Sequence, residues 1–199
     1  VGGSKVSTKL TVLDSLSKIA DTLVVGGGIS NTFVAAAGNE VGNSLYEADL
    51  IPEAQRLCKQ TEVIFANDVT VTQEGFSDWQ HGSATEIKAA DNVSKDDDII
   101  DYGPETAQKV ANIIKSAGTI LWNGPAGYFE NPNFANGSIK IAKKIIENKK
   151  SNKIYSVAGG GDTVSLLNSL NAVNDFNFVS TAGGAFLEYL EGKELPGIK

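Results

Sequence analysis

Six short apolar runs in this chain stop at a glycine-bearing turn, and a helix-like pattern follows each. They are Val1 before Gly2-Gly3, residues 22–25 before Gly26-Gly27-Gly28, and residues 99–102 before Gly103-Pro104. Residues 119–122 precede Asn123-Gly124-Pro125-Ala126-Gly127, residues 154–158 precede Gly159-Gly160-Gly161, and residues 177–180 precede Thr181-Ala182-Gly183-Gly184. A strand feeding a helix is the repeating unit of a parallel sheet with helices packed on it. Such a sheet collects its strand-to-helix turns along one edge, where open α/β folds bind ligands. Glycine there brings main-chain N–H groups close to an anion, and each following helix aims its positive end the same way. The edge reads as a phosphate-binding rim.

With 199 residues the chain has enough length to bury roughly 70% of its unfolded surface. Hydrophobic content of 41% and charged content of 21% are those of an ordinary globular protein. No apolar run approaches the ~20 residues that span a bilayer, and no signal-peptide pattern is present. The single cysteine, Cys58, excludes an internal disulfide, fits a reducing cytoplasmic compartment, and reads as a helix-face core residue. A net charge of −7 argues against a nucleic-acid partner. Arg56 is the only arginine among 17 basic residues, so no arginine cluster can form here to grip a phosphorylated metabolite. Without methionine, and starting inside an apolar run, the chain reads as cut from something longer.

Helical spacing of Leu10, Leu13, Leu16 and Ile19 predicts a helix over residues 9–20, with Ser7 and Thr8 as caps. Further helices are expected over residues 30–37, from Pro52, and over 104–116, 137–148, 162–170 and 184–192. The last turn of the 137–148 helix carries the lysines that suit its dipole. Strands are expected at 62–66 and 67–71. Residues 72–98 read as a decorated acidic loop containing Trp79 and His81, with a candidate strand at 86–89. Asp96-Asp97-Asp98 reads as a solvated turn rather than a metal site, and His81 as a surface histidine. One domain is expected.

Common nucleotide fingerprints are absent. No G-x-x-x-x-G-K-[ST] occurs, and Asn31 stands where the third glycine of G-x-G-x-x-G belongs. Any one glycine run alone reads more readily as a tight structural turn; their recurrence on one edge favours the rim. Lys5 and Lys9, four apart beside Gly2-Gly3, would share a helical face and repel unless an anion lay between them. Asp162, after Gly159-Gly160-Gly161, is either a helix cap or a carboxylate joined to phosphate through magnesium. Glu130 is placed to bond ribose hydroxyls.

Together the strings GGSKVSTK (2–9), VVGGGISNTF (24–33), VGNSLYE (41–47), WNGPAGYFE (122–130), AGGGDT (158–163) and STAGGAFLEYLEGKELPG (180–197) resemble the C-terminal, nucleotide-binding half of the phosphoglycerate kinase family, in its bacterial spelling. The resemblance implies a three-layer, Rossmann-like α/β domain with a six-stranded, mainly parallel sheet and helices on both faces, occupying residues 1–199. It implies Mg²⁺-dependent phosphoryl transfer between 1,3-bisphosphoglycerate and ADP, giving 3-phosphoglycerate and ATP, in a cytoplasmic monomer. By motif, Lys5 would stabilise the moving phosphoryl group, with N–H donors from Gly161 and Gly184. Lys9 and Asn123 would face the nucleotide phosphates, and Glu130 the ribose. Gly26, Gly27 and Gly28 would line the adenine pocket with Leu45 on the base. Gly160 and Gly161 would offer N–H groups, Asp162 would hold magnesium-nucleotide, and Thr163 would cap its helix.

Two departures stand out. Ala182 replaces the first glycine of the family's usual triple, at an energetic cost if that position needs positive φ. The family's N-terminal half, with its histidine and arginine cluster for 3-phosphoglycerate, is missing, so the chain alone is expected to bind Mg-nucleotide and barely turn over. The segment 195–199 resembles the family's return to that half and is expected to be loose. A nucleotide-binding module without catalysis is the main alternative, and a dinucleotide-dependent oxidoreductase a weaker one.

Overall fold

Side chains of one central strand alternate between two packed helical layers, and that alternation fixes the architecture. In the computed structural model, which describes residues 1–74, 84–152 and 154–195, the elements run in this order. They are α1 (Leu10–Ser17), β1 (Thr22–Val24), α2 (Gly27–Ala36), α3 (Ile51–Gln60), β2 (Glu62–Ile64), β3 (Asp68–Thr72), β4 (Glu86–Ala89) and β5 (Asp98–Tyr102). Then follow α4 (Pro104–Ser116), β6 (Thr119–Asn123), α5 (Asn136–Asn152), β7 (Tyr155–Gly159), α6 (Gly161–Ser169), β8 (Phe178–Ser180) and α7 (Gly184–Leu190). Leu23 of β1 enters a cluster with Leu13 and Leu16 of α1, Ile29 and Phe33 of α2, and Leu57 of α3. Val24 turns the other way, toward a cluster holding Val110 and Ile114 of α4, Ile145 of α5, and Leu166 and Leu167 of α6. In β6, Leu121 faces the first cluster while Ile120 and Trp122 face the second. Residue-by-residue alternation of this kind requires a helical layer on each side.

The sheet differs from the expected one. β1 and β2 form a parallel pair, and β6, β7 and β8 a parallel triple. Between β1 and β6 only Val1 and Gly2 make main-chain bonds: Gly26 N donates to Val1 O at 3.0 Å, and Gly2 N to Asn123 O at 2.8 Å. Parallel sheets of two and three strands, connected through Val1 and Gly2, are therefore found in place of one six-stranded ladder. The apolar run 99–102 also leaves the parallel set. As β5 it pairs antiparallel with β3, which pairs antiparallel with β4, so one of the six runs belongs to a separate sheet. Chain connectivity explains this, since β3 to β5 needs no helical crossover.

The expected helices form, with shifted ends. α1 stops at Ser17, so Ile19 falls beyond the helix and is 76% exposed. Ser7 and Thr8 do not cap α1: Ser7 bonds Glu47, and the Thr8 hydroxyl donates to Lys5 O. Cys58 is exposed, because Ala54 and Leu57 take the inward face of α3 and place it about 100° away. Asp97 is fully buried rather than solvated; it accepts from Lys88 Nζ at 2.8 Å, Ser94 N at 2.7 Å and Gln73 Nε2 at 3.0 Å. Burial pushes its carboxyl up, but these donors outweigh burial and hold it below the usual range. Among the described residues no group of three metal-ligating side chains forms. α4 is capped from afar: Asp68 accepts from Glu105 N and Thr106 N, two of the orphan donors of its first turn. Arg56 ties α3 to α1 through Asp14 at 2.6 Å. No helix among the described residues is long and apolar enough to cross a membrane. Trp79, His81 and residues 196–199 lie outside the described residues.

Phe33 is 1% exposed at the centre of the first cluster. Phe33→Ala is expected to cost ~3–5 kcal/mol, read as a lower urea midpoint at unchanged slope.

Candidate functional site

The first, second and fourth glycine turns interlock main chain on main chain. A Cβ on Gly28 would lie 2.2 Å from Ser4 O, one on Gly27 2.7 Å from Gly3 O, and one on Gly124 2.1 Å from Gly2 O. Gly26 is buried against Ala126. These glycines are thus required by the close approach of three chain segments, whatever else they do. Gly28→Ala must push the Ser4 backbone aside, and a loss of ~1–3 kcal/mol in urea denaturation is expected. Gly28 also lies against Leu45 O, and Leu45 is 50% exposed, which leaves an apolar side chain beside the glycine turn.

Around this knot the structure assembles a polar cradle. Lys9 Nζ donates to Asn123 Oδ1 at 2.7 Å and to Gly2 O. Asn123, 1% exposed, uses its Nδ2 to donate to Gly159 O at 2.9 Å, locking β6 to β7. Gly124 N donates to Thr163 Oγ1 at 2.7 Å, so buried Thr163 fastens α6 to the β6 turn. Gly160 holds φ 95°, and a Cβ there would also meet Asn123 Nδ2 at 2.9 Å. Asp162 is exposed at the first turn of α6, whose start has no side-chain cap, leaving its leading N–H groups outward. Burial lowers the Lys9 ammonium to about 8, and the nearby Asp162 charge opposes that fall. Lys9 and Asp162 are thus near enough for their charges to act on each other.

Other expected residues are placed less centrally. Residues 5–9 are not helical, residues 7–9 forming a turn, so Lys5 and Lys9 do not share a helical face. Lys5 is exposed, and its charge acts on Glu47. Burial raises the Glu47 carboxyl, but Ser7, the Val6 N–H and Lys5 together bring it below its ordinary value. Glu130 is exposed on the turn after β6. Gly161 has open space where a Cβ would stand, and so does Gly184 at the start of α7. Phe186 of α7 lies over Gly159, which brings the α6 and α7 starts to adjacent strand ends. Ala182 carries no strain: among the described residues Asn171 is the non-glycine with positive φ, and Gly183 takes that conformation at φ 50°.

A family profile described as Phosphoglycerate kinase matches residues 1–193. This chain belongs to the phosphoglycerate kinase family. A phosphoglycerate kinase of Histophilus somni (strain 2336) is 54% identical over 199 residues, covering 100% of this chain and 50% of that protein. The solved phosphoglycerate kinase of Coxiella burnetii superposes with a TM-score of 0.91 at 42% identity, across 100% of this chain and 50% of its own. That of Pyrococcus horikoshii OT3 gives 0.80 at 25% identity, across 98% and 49%. The chain therefore spans about half the length of the phosphoglycerate kinases it matches.

Sequence reasoning missed the support beneath this family's rim. Tyr102 donates its buried hydroxyl to Val25 O, and Asp101 accepts from Gly137 N at 2.8 Å beneath the Gly127 turn. Neither carries a motif; each is an interior polar group whose partners lie far along the chain. Asn31 likewise donates to Leu45 O at 3.2 Å and sets the Leu45 loop.

Proposed function

We propose that this chain is the nucleotide-binding half of a two-domain phosphoglycerate kinase, a carboxyl-phosphate phosphotransferase. It would move a phosphoryl group reversibly between 1,3-bisphosphoglycerate and ADP, in the cytoplasm and as a monomer. The carrying observation is the convergence of Lys9, Asn123, the Gly159–Gly161 turn and Asp162 on one rim. The reading treats the two parallel ladders as parts of one sheet, whose strand ends supply that rim.

Adenine would rest on Gly27, Gly28 and Leu45, and Glu130 would take the ribose hydroxyls. Lys9 meets the phosphates with its charge already partly desolvated, while Asn123 fixes where that charge points. Gly160, Gly161 and Gly184 would offer main-chain N–H groups at helix starts, where anions are favoured. Lys5, exposed on its turn, is free to follow charge as it develops on the transferring group. Phosphoryl transfer needs little covalent help, so positioning and charge stabilisation suffice.

The residues fit magnesium only together with nucleotide. One exposed carboxylate, Asp162, cannot hold the ion alone, but Mg²⁺ is commonly held by one or two carboxylates plus substrate phosphates. Bound there, the ion would neutralise phosphate charge and remove repulsion against Asp162. Calorimetry with Mg-ADP should register binding to the unaltered chain and a loss of at least about tenfold in Asp162→Ala. Without magnesium Asp162→Ala should bind ADP no more weakly than the unaltered chain, because the carboxylate then only repels the phosphates. Equal Mg-ADP affinity would refute the assignment. In the reconstituted two-domain protein, Lys5→Ala should lower kcat far more than it changes nucleotide affinity. The chain alone should show almost no turnover, since its single arginine, Arg56, cannot form the cluster that would grip 3-phosphoglycerate.

A further inference from the structure

The segment that carries Lys5 meets two others over one glycine. A Cβ on Gly28, in the first turn of α2, would stand 2.2 Å from Ser4 O and 3.2 Å from Leu45 O. Within the segment, Thr8 Oγ1 donates to Lys5 O at 2.8 Å and Lys9 N to Val6 O at 2.9 Å, while the Val6 side chain is buried in the core. Those bonds engage its carbonyl groups, and its amides need acceptors from elsewhere. Glu47 supplies them. Its Oε2 accepts from Ser7 N at 2.8 Å, its Oε1 accepts from Ser7 Oγ at 2.5 Å, and the Val6 N–H bonds the same carboxylate. One side chain thus takes the two main-chain N–H groups that directly follow Lys5.

Glu47 can hold that segment because its own loop is fixed along its length. Asn43 N donates to Asp97 O at 2.8 Å, and Ser44 Oγ accepts from Ile99 N at 2.7 Å. Asn31 Nδ2 donates to Leu45 O at 3.2 Å, and Glu47 N donates to Thr32 Oγ1 at 3.1 Å. Ser44, Asn31 and Thr32 are all buried. Residues 43–47 therefore run as a strap from the start of β5, across α2, to the segment of Lys5.

A lysine side chain is long and flexible, so the reach of its ammonium depends on where its main chain stands. For Lys5 that place is set by Ser4 against Gly28, by Val6 in the core, and by Glu47 on the Val6 and Ser7 N–H groups. Glu47 has no part in the phosphoryl transfer proposed above, and its charge would oppose a phosphate drawn to Lys5. What the segment uses is its two oxygens as acceptors.

We propose that Glu47 is a positioning residue for Lys5. It ties residues 4–9 to the Leu45 loop and fixes the point from which the Lys5 ammonium reaches the transferring phosphoryl group. The inference rests on the nucleotide reading and on the role given there to Lys5.

Glu47→Ala and Glu47→Gln test it in the reconstituted two-domain protein. Glutamine still accepts from Ser7 N and donates to Ser7 Oγ, whereas alanine does neither. Misplacing a catalytic group by about 1 Å costs up to about 100-fold, so Glu47→Ala should lower kcat about tenfold. KM for Mg-ADP should stay within about twofold, and Glu47→Gln should restore kcat to within about threefold of the unaltered protein. A merely loosened Leu45 loop would instead raise KM at unchanged kcat, and that result would overturn the proposal. So would a Glu47→Gln protein as slow as Glu47→Ala, or a Glu47→Ala protein that does not fold. Because the effect passes through Lys5, Glu47→Ala should change kcat no further in the Lys5→Ala protein. Equal losses in both backgrounds would overturn the proposal and leave the nucleotide reading standing. Undiminished kcat in Lys5→Ala would overturn the role of Lys5 itself, and the proposal with it.

Discussion

Lys9→Met will weaken Mg-ADP binding by roughly 10- to 100-fold, matching the ~1.5–3 kcal/mol of a charge-assisted hydrogen bond, and will remove a pH dependence that the unaltered chain displays. Burial leaves the Lys9 ammonium with a pKa of about 8. Nucleotide phosphates favour the charged form, so the complex holds this proton to higher pH than the free protein does. Between those two values binding takes up a proton, and affinity must fall as pH rises; below about 8 it should be flat. Methionine keeps the apolar stem but has nothing to titrate. Its curve should lack the decline above pH 8, while far-ultraviolet circular dichroism confirms that the fold persists. A retained decline in Lys9→Met would assign the titration elsewhere.

Much of the fold was legible because its signals are local. Leu10, Leu13 and Leu16 lie three apart and only a helix brings all of them to one face, and Pro104 after Gly103 opens a helix wherever it docks. Pairing was less legible. Residues 99–102 carry the same apolar-run-then-glycine pattern as residues 119–122, yet one pairs antiparallel and the other parallel. Direction is decided by what lies between strands, and the β3–β4 pairing does not announce itself in composition. Cys58 was misplaced by one helical step, the distance over which an amphipathic pattern is ambiguous, and Ile19 because α1 stops at Ser17.

At the proposed site, glycine and charge marked candidate residues without saying which atom contacts which. Lys5 and Lys9 look alike in sequence, but the non-helical run over residues 5–9 exposes one and half-buries the other. Both polar ends of the Asn123 side chain are engaged, by Lys9 and by Gly159, which its place in a glycine-rich turn does not foretell. Asp97 reads as surface in an acidic run, and only the arrival of Lys88 from β4 makes its burial possible. Such pairings depend on contacts between distant segments, which spacing does not encode.

Asp101→Asn will be more stable than the unaltered chain above pH 7, by up to ~4 kcal/mol, and close to it near pH 4. The Asp101 carboxyl is pushed up from 3.8 to about 7, first by burial; hydrogen bonds from the Gly137 and Tyr102 N–H groups only partly oppose this. Its Oδ1 has no hydrogen-bond partner and sits 2.5 Å from where Cβ atoms of Gly127 or Gly137 would stand. Because its folded pKa lies above its unfolded one, the native state holds a proton that the unfolded chain has lost between about 4 and 7. Stability from this group therefore falls as pH rises through that window and levels off above it. Subtracting the Asp101→Asn urea-denaturation curve isolates Asp101: the difference should grow from pH 4 to 7 and then hold. A difference independent of pH would mean that Asp101 remains ionised within the fold and that its burial is compensated by partners beyond Gly137 and Tyr102.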